Sequence, residues 1–90
     1  MSDKTLYSFI APEVEEIETK IVTQLIDLDY NRTFIEYNLG IDYHRPQLKI
    51  NKFTNKKEFY IDRNKVDDLN DFIRIKNALI CLGFKEGISL

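Results

Sequence analysis

The chain has 90 residues, 43% of them hydrophobic and 31% charged, and thirteen basic against fifteen acidic side chains leave a net charge of −2. That length supports one core, and the composition excludes general disorder; a single cysteine, Cys81, excludes a disulfide-stapled secreted scaffold. Met1-Ser2-Asp3-Lys4-Thr5 carries no signal-peptide pattern and no apolar run nears about 20 residues, so a cytoplasmic protein without a membrane span is expected.

Residues 1–11 read as an N-terminal arm, in which Leu6, Phe9 and Ile10 pack as an extended segment or a short strand. Pro12 suits a first helical position, and Val14, Ile17, Ile21, Leu25 and Leu28 then draw one apolar stripe, so a helix is predicted over 12–28. Glu13, Glu15 and Glu16 favour its positive end, whereas Asp27 and Asp29 oppose its negative end and Asp29-Tyr30-Asn31 reads as the stop.

Three strands are predicted over 32–62. Thr33, Ile35, Tyr37 and Leu39 alternate with Phe34, Glu36 and Asn38 in the first; Leu48 and Ile50 mark the second, and Phe59 and Ile61 the third. Gly40 to Pro46 forms a presented loop, and Thr54-Asn55-Lys56 a hairpin turn. A second helix is predicted over 65–82, with Asn64 as its N-cap, Gly83 past its end, and Val66, Leu69, Phe72, Ile73, Ile75, Leu79, Ile80 and Leu82 on a wide apolar face. Phe84 folds back onto that helix in the tail 84–90, which also carries Ile88 and Leu90. The expectation is a single compact α+β domain over 1–90: a two-layer α-β-β-β-α arrangement with two helices on one face of a three-stranded antiparallel sheet.

Charge along this chain is sorted. Glu13, Glu15, Glu16, Glu18, Asp27 and Asp29 are interrupted by one lysine, Lys20; Arg45, Lys49, Lys52, Lys56, Lys57, Arg63 and Lys65 then follow against Glu58 and Asp62. The basic hairpin is the first candidate site, formed by Arg45, Lys49, Lys52, Phe53, Lys56, Lys57 and Tyr60, with Lys49, Asn51 and Phe53 projecting together from the wet face. Such a surface meets phosphates or a carboxylate-rich protein, while its structural alternative is lysines protecting an edge strand. The second candidate is the acidic helix face of Glu15, Glu16 and Glu18, a phosphate mimic on one reading and ordinary dipole compensation on the other.

The remaining chemistry-bearing residues point elsewhere. His44, in Asp42-Tyr43-His44-Arg45, has no second histidine or cysteine at ligand spacing, so no metal is expected. Asp27 with Asp29, and Asp67, Asp68 and Asp71, sit at helix ends where capping accounts for the second group. Cys81 lies off the centre of the apolar face, and Ser2, Ser8 and Ser89 lie near the ends of the sequence. Lys76 falls inside the apolar face, where its stem follows the core edge or neutralises a carboxylate at an interface. No catalytic group and no cofactor are expected.

The helix, three-strand, helix order from about Pro12 to Leu82 resembles the double-stranded-RNA-binding domain. Gly40-Ile41-Asp42-Tyr43-His44 is loosely similar to that family's Gly-Pro-x-His loop. The family grips phosphates with lysines at the start of its second helix; here that stretch reads Lys65-Val66-Asp67-Asp68, so RNA binding does not carry over from the resemblance. Small phage proteins that block host enzymes, some anti-CRISPR proteins among them, use the same topology. Abundant isoleucine, lysine and asparagine match the bias of an AT-rich genome such as that of a low-GC bacterium or its phage. The expected function is a non-enzymatic protein-binding module, an inhibitor or adaptor of mobile-element origin, that occupies a charged surface of a larger host protein. A nucleic-acid-binding domain using the basic sheet face is the alternative, and a homodimer through the second helix is a third reading.

Overall fold

The structure is a computed structural model that describes residues 5–87. The chain runs β1 (Leu6–Ile10), α1 (Ile17–Asp27), a π-helical turn (Phe34–Asn38), β2 (Lys49–Asn51), β3 (Lys56–Asp62), α2 (Leu69–Cys81) and β4 (Lys85–Glu86). The α+β class with an antiparallel sheet holds, but the sheet has four strands, in the order β2-β3-β1-β4.

The predicted arm is therefore an inner strand. β1 pairs with β3 from Leu6 opposite Asp62 to Ile10 opposite Glu58, and on its other side Phe9 and Ile10 face Glu86 and Lys85 of β4. The segment predicted as the first strand is instead the π-helical turn. Asn31 Oδ1 accepts from the Phe34 amide at 2.8 Å, Arg32 and Glu36 pair one turn apart at 3.3 Å, and the Leu39 amide reaches the Phe34 carbonyl at 3.3 Å. Ile35 and Leu39, four apart, are both buried by this winding, an outcome that strand alternation also allowed. With β1 ahead of α1 and no strand over 33–39, the α-β-β-β-α order and the topological likeness to the double-stranded-RNA-binding domain do not hold.

Both helices are shorter than predicted at their starts. Glu16 adopts φ 56°, a left-handed conformation that interrupts any helix begun at Pro12, so Val14 drops out of the stripe and Ile17, Ile21, Val22 and Leu25 form it. α2 is capped by Asp68, not Asn64: its carboxylate accepts from the amides of Asn70 at 2.8 Å and Asp71 at 3.2 Å. Phe72, Ile75, Ala78 and Leu79 are its buried face, while Leu69, Ile73 and Ile80 point outward. Gly83, at φ 103°, ends α2 as predicted, and the Phe84 amide closes back on the Leu79 carbonyl at 3.0 Å, which buries Phe84.

Paired residues in an antiparallel ladder share a face. Tyr7, Phe9, Phe59 and Ile61 face the helices, as the Tyr7 to Phe72 ring contact at 5.0 Å shows, and together with Ile17, Ile21, Leu25, Ile75 and Leu79 they make the core. Each fully buried side chain of this size contributes about 1.5–3 kcal/mol. Ser8, Ile10, Glu58 and Tyr60 take the opposite face. Among the described residues, no helix is long and apolar enough to cross a membrane. Ile88 and Leu90 of the predicted tail lie outside the described residues, as do Ser2 and Ser89.

Candidate functional site: the basic hairpin and its surroundings

The hairpin is built by β2, the turn 52–55 and β3. Asn51 organises the turn: its Oδ1 accepts from the amides of Phe53 at 2.8 Å and Thr54 at 3.3 Å, and its carbonyl accepts from the Asn55 amide at 2.7 Å. Asn55 takes φ 60°, which asparagine tolerates better than a branched residue. With the amides of Phe53, Thr54 and Asn55 held by Asn51, Phe53 stands at the tip and is 99% exposed. Ile50, on the edge strand β2, is 58% exposed beside it in sequence.

The lysines divide between faces. Register places Lys49, Asn51, Lys56, Glu58 and Tyr60 on the side of the sheet away from the helices, as the sequence predicts for Lys49 and Asn51. The Lys49 ammonium lies 5.8 Å from the centre of the Tyr60 ring. Tyr60 donates its hydroxyl to Glu58 Oε1, and Asn51 Nδ2 donates to Glu58 Oε2 at 3.1 Å. That hydrogen bond raises the Tyr60 phenol above its ordinary value of 10.0. Glu58 is thus a carboxylate only 6% exposed, each of whose oxygens accepts a hydrogen bond from its own face. Composition hid it, because a lone glutamate among lysines reads as a stray surface charge.

Lys57 is on the other face. Its ammonium lies 2.6 Å from Glu18 Oε2 in α1, and this contact holds the Glu18 carboxyl below its ordinary value of 4.5. Of the acidic candidates, Glu15 and Glu16 belong to the turn before α1 and are exposed; only Glu18 is helical, and it is already paired. Phe53 lies in the turn, not on the wet face with Lys49 and Asn51. Arg45 also stands apart from the hairpin, since Asp42 Oδ1 accepts from the amides of His44 at 2.9 Å and Arg45 at 3.1 Å and holds both in a separate turn. Those two bonds lower the Asp42 carboxyl. Lys49, Lys52 and Lys56 make no ion pair with any described residue.

The other marked residues are engaged locally. Lys76 bridges to Glu86 at 2.8 Å, which joins α2 to the edge strand β4. Asp71 accepts from the Tyr30 hydroxyl at 2.7 Å, and Cys81 is exposed. No group of three or more His, Cys, Asp or Glu among the described residues is placed to share a metal ion. No protein-family model, curated protein or solved structure matches this chain.

Proposed function

We propose that the chain is a small non-enzymatic protein-binding module, an inhibitor or adaptor, that docks through its hairpin onto a larger protein. The observation that carries this reading is Phe53, a whole aromatic side chain held in water at the tip of an ordered turn, with Lys52 and Lys56 on either side of it in sequence making no ion pair with any described residue. Aromatic anchors that enter a partner's pocket dominate interface energetics, and charges around them steer the encounter. Edge protection accounts for Lys49 of β2 but not for a phenylalanine in the turn that follows it.

Nucleic acid is the weaker reading. Lys49 and Lys56 share the open face with Glu58 and Asp62, and the Tyr60 ring already carries the Lys49 ammonium, so little free aromatic surface is left there for a base.

The test is affinity capture from a source lysate with and without nuclease. The bait is the intact chain, set beside Phe53→Ala and beside Lys52→Glu with Lys56→Glu. A protein retained after nuclease and lost from both variant baits supports the reading. Retention that both variants share, or that nuclease abolishes, overturns it.

A further inference from the structure

The flank of α2 turned away from α1 carries exposed apolar side chains. Tyr30 bonds Asp71, and Leu82 lines a cavity with Thr19, Lys20 and Thr23, so α1 covers the side of α2 that bears Asp71 and Leu82. Half a turn round the helix, Leu69, Ile73 and Ile80 are 58%, 44% and 47% exposed. With Lys76 they follow one another at steps of four, three and four, which draws one seam along the 13 residues of the helix. Lys76 reaches Glu86 on the edge strand β4 at 2.8 Å, so the one charge within the seam is neutralised by its own chain. Beside the seam, Asn70, Asn77 and Cys81 are exposed and uncharged, in a chain of which 31% is charged.

We propose that two copies of this chain associate through that seam, with their α2 helices antiparallel about a two-fold axis that passes between Ile73 and Lys76. Steps of four, three and four read the same from either end, so a two-fold rotation lays the seam on itself. Leu69 then meets Ile80 of the second copy, and Ile73 meets the stem of its Lys76. An isologous contact demands this self-complementarity, which a seam made for an unrelated partner does not have to meet. Charge selects the same orientation. A parallel pair would set Asp67, Asp68 and Asp71 of the two copies against one another, whereas an antiparallel pair parts them and opposes the helix dipoles favourably. A helix of this length spans about 20 Å, too little to cover the roughly 800 Å² per partner of a stable complex, so the dimer is weak and concentration-dependent. The hairpin lies at the other edge of the sheet, in the order β2-β3-β1-β4, and stays free in both copies. The dimer does not depend on the docking reading, and it gives each particle two Phe53 tips.

Sedimentation equilibrium of the intact chain from about 10 µM to about 1 mM should show a reversible monomer–dimer equilibrium. Ile73→Glu should weaken it by at least about tenfold while leaving amide dispersion intact, because it sets an unpaired charge at the axis. Lys76→Met, which replaces a covered ion pair with an apolar side chain, should strengthen it, and Phe53→Ala should leave it unchanged. Orientation is read separately. A nitroxide on Cys81 of unlabelled chain, mixed with isotope-labelled Cys81→Ser, should broaden the amides of residues 67–70 in the second copy. A monomer at every concentration, a dimer indifferent to Ile73→Glu or weakened by Lys76→Met, or broadening centred on residues 80–84 overturns the proposal. The two readings fail separately. A partner captured through Phe53 by a chain that stays monomeric overturns the dimer alone, and a dimer without a Phe53-dependent partner overturns the docking reading alone.

Discussion

The ammonium of Lys57 in β3 lies 2.6 Å from a carboxylate oxygen of Glu18 in α1, across 39 positions of sequence. The acidic and basic stretches that look like opposite poles of the chain are therefore neighbours in space. Their contact neutralises one charge of each, while Lys52 and Lys56, on either side of Phe53 in sequence, make no ion pair with any described residue.

The coupling of that pair is measurable. Its lysine is about half exposed, so a double-mutant cycle with Lys57→Met and Glu18→Gln should give about 0.5 kcal/mol, lower at high salt. Glu18 has its carboxyl depressed chiefly by the hydrogen bond from Lys57. A depressed carboxyl contributes stability that is present above its unfolded value near 4.5 and is lost as pH falls through the lower folded value. Carboxyl-carbon NMR should find the Glu18 midpoint below 4.5 in the intact chain and shifted upward in Lys57→Met.

Phe53 and Phe9 should respond oppositely to truncation. Phe9 is 0% exposed in the inner strand, and Phe9→Ala is expected to cost about 3–5 kcal/mol, comparable to the whole stability of a small domain. Phe53→Ala should change stability by less than about 0.5 kcal/mol in urea unfolding, because its ring is 99% exposed. A large loss at Phe53 would mean that the ring packs on its own chain and is not an anchor.

What could be read from the sequence follows from where a single periodicity was decisive. β3 and the hairpin were legible because Phe59 and Ile61 alternate with charged or polar neighbours, and the core of α2 because Phe72, Ile75 and Leu79 recur at helical steps. Thr33 to Leu39 misled because burial of Ile35 and Leu39 suits both periods; the Arg32 and Glu36 pair and the Asn31 cap were the helical signals. β1 reads only as an arm or short strand, because five residues cannot show that they are flanked on both sides. For the candidate site, the sequence names Phe53, Lys52 and Lys56 but sets Phe53 on the wet face, where the structure has it in the turn. The capture of Lys57 by Glu18 and the burial of Glu58 were not legible, since each depends on contacts between separate elements or across the sheet face.

Tyr30 ties the end of α1 to the start of α2 by donating to Asp71 at 2.7 Å. Burial, followed by that hydrogen bond, pushes its phenol from 10.0 up to about 12. The folded state thus holds the proton more tightly, so this contribution is complete below pH 10.0 and is lost as pH rises toward about 12. Tyr30→Phe should cost about 1 kcal/mol at neutral pH. The difference in tyrosinate absorbance between the two proteins should titrate well above that of a free tyrosine; an ordinary midpoint would remove the Asp71 contact.

Asp29 does at the end of α1 what Gly83 does at the end of α2. It sits at φ 69°, its amide bonds the Ile26 carbonyl at 2.9 Å, and the Tyr30 amide reaches back to Leu25 at 3.0 Å. A side chain with a Cβ carries steric cost in that conformation, and a negative charge opposes the helix dipole there. Glycine removes both at the expense of greater freedom in the unfolded chain. Asp29→Gly is accordingly expected to raise stability by about 0.5–1 kcal/mol, and Asp29→Val to lower it by at least as much. Urea midpoints of the three proteins decide the matter: if glycine and valine at this position are equally stable, the left-handed end of α1 is wrong.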